Sequence, residues 1–94
     1  MKLRWTQDAI RDLVKLRDDI AQERPQVAAT VAQRILRAIQ RLEAFPEMGR
    51  PGRAPGTREL IVPQTPYIVP YRLRDERIEL LRVFHGARRW PEKI

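Results

Sequence analysis

The chain has no cysteine, which excludes both disulfides and thiolate metal sites. Histidine occurs once, at position 85, and nothing in the sequence calls for a metal or any other cofactor. Aromatic residues are scarce, two each of Trp, Tyr and Phe, so the strands lack the aromatic interleaving of sheet-type RNA binders. There is no recognition-helix signature either. No apolar run approaches the roughly 18–20 residues that a membrane span requires. The opening Met1-Lys2-Leu3-Arg4-Trp5-Thr6 is followed by no apolar core or small-residue cleavage site, so a signal peptide is not expected and a cytoplasmic location is. Ninety-four residues suit one domain, residues 1–94, with a modest core.

What is abundant is positive charge. Nineteen Lys and Arg face twelve Asp and Glu, for a net +7, and sixteen of those cations are arginine. The first fifty residues carry +3 and the remainder +4, so the charge is distributed and is not a tail. A field of that sign favours polyanions or an acidic partner. With 43 % hydrophobic and 33 % charged residues, the composition is that of a folded protein.

Periodicity divides the chain. Lys2 to Thr6 reads as a short strand, and Thr6 is a helix N-cap with Asp8 in the first turn. Ala9, Ile10, Leu13, Leu16 and Ile20 recur at helical spacing, which predicts an amphipathic helix to about Glu23. Pro25 disfavours helix at Arg24 and suits the first position of a second helix. The apolar stripe of that helix is Val27, Val31, Ile35, Ala38, Ile39 and Leu42, ending near Phe45-Pro46. Two helices so joined form an antiparallel hairpin. Residues 46–57 read as a cationic loop rich in proline and glycine. Three strands follow, Arg58–Val62, Tyr67–Leu73 and Ile78–Phe84, and then a polar tail from Ala87 to Ile94. The order β-α-α-β-β-β predicts an α+β fold of two layers, a helical hairpin on one face of a small antiparallel sheet. Pro70 cannot donate to a ladder, so it marks either a sheet edge or an irregularity. Trp5, Phe45 and Phe84 read as core.

Three segments in this order carry a resemblance. They are Phe45-Pro46-Glu47-Met48-Gly49-Arg50, Tyr67-Ile68-Val69-Pro70-Tyr71-Arg72 and Ile78-Glu79-Leu80-Leu81-Arg82-Val83-Phe84-His85-Gly86-Ala87-Arg88, preceded by the Asp12-Leu13 of the first helix. Together they resemble the RelE/ParE toxins of bacterial type II toxin–antitoxin pairs over nearly the whole chain. The resemblance implies a growth-inhibiting toxin held inactive by a cognate antitoxin protein. It also implies one of two cellular targets: messenger RNA on the ribosome, cut without metal by the RelE-like branch, or DNA gyrase, poisoned by the ParE-like branch.

RNA cleavage needs a base, an acid and cations for the phosphorane. His85 suits either proton-transfer role, and a nuclease site would combine it with Arg88, Arg72 and Arg58. The chain departs from the RelE-like pattern in two places. Ile68 stands where that branch has arginine after the first tyrosine, and the tail offers Trp90 where it has tyrosine. The ParE-like branch is closer, and inhibition would then come from binding. Arg50 and Arg53 in the loop, with Arg88, Arg89 and Trp90 in the tail, are the expected contact residues. Trp90 either projects as an interface side chain or folds back onto the sheet.

Overall fold

The computed structural model describes residues 1–90; the last part of the tail, residues 91–94, lies outside it. The elements in chain order are β1 (Lys2–Trp5), α1 (Gln7–Ala21), α2 (Pro25–Arg41), β2 (Arg50–Pro51), β3 (Arg58–Ile61), β4 (Tyr67–Arg74), β5 (Arg77–Leu80) and β6 (Phe84–His85). Thr6 caps α1 by accepting the Ala9 N–H through its hydroxyl, which also donates to the Leu80 carbonyl at 2.7 Å. One side chain thus starts the helix and ties it to the end of β5. Pro25 occupies the first turn of α2.

The sheet runs β1-β5-β4-β3-β2, with β6 also paired to β4. Helices and sheet form the expected α+β architecture, but the sheet is mixed. β1 joins β5 in parallel, Leu3 opposite Ile78, because the helical hairpin carries the chain across before β5 is laid beside it. Alternation then sorts the faces. Leu60, Val69, Tyr71, Ile78 and Leu80 meet Ile35, Ile39 and Leu42 of the helical layer in one buried cluster. Glu59, Arg72 and Glu79 take the other face, where Arg72 and Glu79 are cross-strand partners.

Several expectations are corrected. Val27 and Ile10 are exposed, and α2 buries Ala28 in the first turn of its stripe instead. Phe45 is not core: it is 58 % exposed, because α2 ends at Arg41 and the turns after it carry the ring outward. A two-residue strand, β2, lies inside the segment read as loop. Phe84 is only partly buried and pairs with Ile68 on the face away from the helices.

The third predicted strand is broken. Tyr71 faces Leu80 and Ile68 faces Phe84, so Val69 and Pro70 stand opposite Leu81, Arg82 and Val83. The extra residue is a β-bulge. Pro70 accepts the Leu81 N–H at 2.9 Å but has none to return, and the facing chain draws away at that point. The proline therefore lies in an inner strand and is accommodated by the irregularity, not by an edge.

The loop after α2 is held from beneath. The buried Tyr71 hydroxyl donates to the Pro46 carbonyl at 2.8 Å and accepts the Gly49 N–H at 2.9 Å. Arg58 adds bonds to the carbonyls of Glu47 and Gly49. Gly49 must be glycine, since a Cβ there would fall 2.6 Å from the Tyr71 ring. Burial pushes the Tyr71 pKa up, so the phenol stays a neutral donor. Tyr71→Phe would leave a buried N–H and a carbonyl unpartnered, and a loss of about 1–3 kcal/mol is expected in urea unfolding.

Candidate functional site

A cleft of about 660 Å³ opens between α1 and the β5–β6 segment with its tail. Asp12, Lys15 and Asp19 line it from the helix, Tyr67 and His85 from the sheet, and Arg88, Arg89 and Trp90 from the tail. Its floor is built by Asp12. That carboxylate accepts two bonds from the Arg82 guanidinium, at 2.7 and 3.1 Å, and the backbone N–H of Val83 at 2.9 Å. Val83 N belongs to the bulge, so Asp12 satisfies a donor that the ladder leaves open. The bond to Asp12 raises the Arg82 pKa above its ordinary value, and the pair is fixed as an ion pair.

His85 stands opposite Tyr67 in the β4–β6 pairing, with the two rings edge to face at 5.6 Å. Its Nδ1 accepts the Ala87 N–H at 3.2 Å. That bond engages Nδ1 as an acceptor. With Arg88, Arg89 and Lys15 around it, the cleft is furnished chiefly with donors, and Lys15 is itself paired with Asp19 at 3.0 Å.

The four residues of the nuclease arrangement are only partly gathered. His85 and Arg88 line the cleft. Arg58 and Arg72 do not. Arg58 lies beside Tyr71, four residues along β4 from the Tyr67–His85 pair, a run of roughly 13 Å at strand rise. Its guanidinium is engaged with the loop carbonyls. Arg72 is on the opposite face, where Nε donates to Glu79 at 2.6 Å. Glu79 is 5 % exposed and takes Arg4 as a second partner. The Arg72 hydrogen bond holds the Glu79 carboxyl below the usual carboxylate range.

The loop and tail segments meet. Trp90 folds back onto Phe84, ring centroids 4.9 Å apart, and the Arg53 guanidinium lies 3.9 Å over the Trp90 ring. Arg50 and Arg53 are anchored beneath by Glu59, a carboxylate only 2 % exposed. It accepts both Nε and Nη2 of Arg50, and the backbone N–H of Arg53. Arg50, Arg53 and Trp90 thus form one surface, and Trp90 lines the cleft together with Arg88 and Arg89. Trp90 Nε1 is buried and has no acceptor among the described residues. Sequence reasoning did not single out Asp12, Arg82 or Lys15 as site residues. The available signal was an aspartate on a partly buried helix position, indistinguishable in sequence from its solvated neighbours Asp18 and Asp19.

A strand, a helical hairpin and a bulged mixed sheet with a basic, donor-lined cleft define a class of small α+β protein, and comparison with known proteins names it. The family model described as "ParE toxin of type II toxin-antitoxin system, parDE" matches residues 3–90. Putative toxin Y4kP of Sinorhizobium fredii is 41 % identical over 93 residues, covering 99 % of this chain and 96 % of that protein. Toxin RelE2 of Caulobacter vibrioides is 36 % identical over 84 residues, covering 89 % of this chain and 93 % of that protein. Among solved structures, the chromosomal ParDE system of P. aeruginosa superposes with a TM-score of 0.83 at 31 % identity, over 90 % of this chain and 95 % of that one. The RelBE2 toxin–antitoxin complex of Mycobacterium tuberculosis gives 0.60 at 30 % identity, over 89 % and 95 %. The chain belongs to the ParE toxin family of type II toxin–antitoxin systems.

Proposed function

We propose that this toxin inhibits growth by binding DNA gyrase, and that a cognate antitoxin neutralises it. The observation that carries the reading is the engagement of Arg58 and Arg72 in the scaffold, on opposite faces of the sheet. An RNA-cleaving centre needs its cations around the phosphate, and two of its four parts are elsewhere. The higher structural similarity to a ParDE system than to a RelBE complex, 0.83 against 0.60, supports the same branch. The antitoxin follows from the neighbours being toxin–antitoxin systems.

On this reading the contact surface is the patch of Arg50, Arg53 and Trp90 continued by Arg88 and Arg89. Arginine and tryptophan dominate binding energy when they are held in place, and Glu59 and Phe84 hold these. A second reading rests on one observation, the presence of His85 and Arg88 in the same cleft. It is messenger RNA cleavage with His85 as acid. Labelling nascent DNA and protein after induction separates the two. The proposal requires DNA synthesis to fall first; protein synthesis falling first, with mapped RNA cuts, would establish the alternative.

A further inference from the structure

The sheet face turned away from the helices carries a lattice of charge at the end of β4 opposite Tyr67, roughly 23 Å from it at strand rise. The strand register places it. Lys2 of β1 is opposite Arg77 of β5, and Arg77 is opposite Arg74 of β4. Two residues along, Arg4 is opposite Glu79, and Glu79 is opposite Arg72. Residues two apart on a strand, and those opposite them on its neighbours, share a face. The six side chains therefore form two rows of three, about 10 Å across the strands and 7 Å along them. The rows differ. In one, the buried Glu79 draws Arg4 and Arg72 onto its two oxygens. In the other, Lys2, Arg77 and Arg74 stand side by side, all exposed, and none has an ion-pair partner among the described residues. Asp75 and Glu76, at positive φ in the turn between β4 and β5, pair with none of them. Like charges directly opposite one another destabilise a sheet, so this row weakens the fold that carries it. A polyanion laid across it reverses the sign of that effect.

The chemistry of the two rows selects the occupant. The lattice contains no apolar or aromatic side chain. It has no pocket for the apolar side of an amphipathic peptide, nothing to enter a bilayer, and no ring on which an unpaired base could stack. It offers a flat array of guanidinium and ammonium donors, two of them held in place by a buried carboxylate. Its longer edge spans about three phosphate steps of one duplex strand, at about 3.4 Å each. We propose that this corner of the sheet binds the phosphodiester backbone of duplex DNA without reading its sequence. The inference goes beyond the choice of target and stands whether the toxin poisons gyrase or cuts messenger RNA.

The test is fluorescence anisotropy of a labelled mixed-sequence DNA duplex of about 20 base pairs, titrated with the purified chain over a range of salt. Five cations, one of them offset by Glu79, should make the logarithm of affinity fall with that of salt at a slope of about −4. Lys2→Gln/Arg74→Gln/Arg77→Gln should weaken binding by about 100-fold or more in about 0.1 M salt and bring the slope to about −1. Its melting temperature should hold or rise, because like-charged neighbours are removed. Arg77→Gln alone, expected to lose about tenfold, reads the same surface if the triple variant fails to fold. Arg34→Gln/Arg37→Gln/Arg41→Gln removes the same charge from exposed positions of α2 and should keep most of the affinity. Asp75→Asn/Glu76→Gln should bind more tightly. Equal losses from the two triple variants would reduce the binding to net charge and overturn the site, and so would unchanged affinity in the sheet variant. Poly-glutamate that competes as well as unlabelled duplex at equal charge would give the face to an acidic polypeptide. Tighter binding of a duplex RNA of the same length would give it to RNA. Either result overturns the assignment.

Discussion

Asp12→Ala is expected to lower the unfolding free energy by about 3 kcal/mol. The Asp12 and Arg82 side chains are only 18 % and 25 % exposed. Removing the carboxylate leaves the guanidinium without its counter-charge and the Val83 N–H without an acceptor. Breaking a fully buried pair costs about 3–5 kcal/mol, and partial exposure of this one places it at the low end. In a domain this size that corresponds to a fall of roughly 12–24 °C in Tm. Asp12→Asn can still accept the Val83 N–H but cannot balance Arg82, so it should fall between the two. Thermal unfolding of the three proteins measures this. A loss below about 1 kcal/mol for Asp12→Ala would mean that the bulge holds without the helix.

The second large effect concerns the tail. Charge reversal of Arg88 and Arg89 together is expected to weaken target inhibition by about 100-fold or more. A true hot-spot arginine is worth about 2 kcal/mol or more, roughly 30-fold each. Both side chains are exposed and carry no ion pair among the described residues, so stability should hold. His85→Ala should retain most of the inhibition, since its ring only packs on Tyr67 and caps the turn at Ala87. If His85 instead transferred a proton, its loss would cost about 10²–10⁴ in rate, and toxicity would vanish with the fold intact. Dose–response of inhibition for the double variant and for His85→Ala, each beside its melting curve, decides between these outcomes.

The architecture was legible because it rests on short-range signals. Thr6, Pro25 and the helical spacing of Leu13, Leu16, Ile35 and Ile39 mark the hairpin without reference to any distant residue. Pro70 marked an irregularity, though whether edge or bulge depended on the count of residues opposite it. What escaped the sequence was long-range. The parallel pairing of β1 with β5 joins residues some 75 positions apart. The burial of Ala28 in place of Val27 reflects the rotation of α2 on the sheet, which a stripe of apolar residues leaves loose by one position. Phe45 reads as core by composition, and only the end of α2 at Arg41 turns it outward.

The site was half legible for the same reason. His85, Arg88 and Trp90 were marked by residue type at the end of the last strand. Alternation alone could not tell a bound arginine from an available one. Arg58 and Arg72 look alike in sequence, and both are engaged only because Gly49 O and Glu79 arrive from elsewhere in the fold. Conversely, Arg50 and Arg53 became part of the same surface as Trp90 through Glu59 and a stacking contact, neither of which has a local signature.

Binding of gyrase, and not cutting of RNA, is the proposed source of toxicity. Purified toxin added to purified DNA gyrase and relaxed plasmid tests it most directly, with ribosomes and messenger RNA as the parallel reaction. Supercoiling is expected to be inhibited by the wild type and by His85→Ala, the inhibition to be abolished by reversal of Arg88 and Arg89, and the messenger RNA to stay whole. Undiminished supercoiling together with cut messenger RNA, lost in His85→Ala, would contradict it.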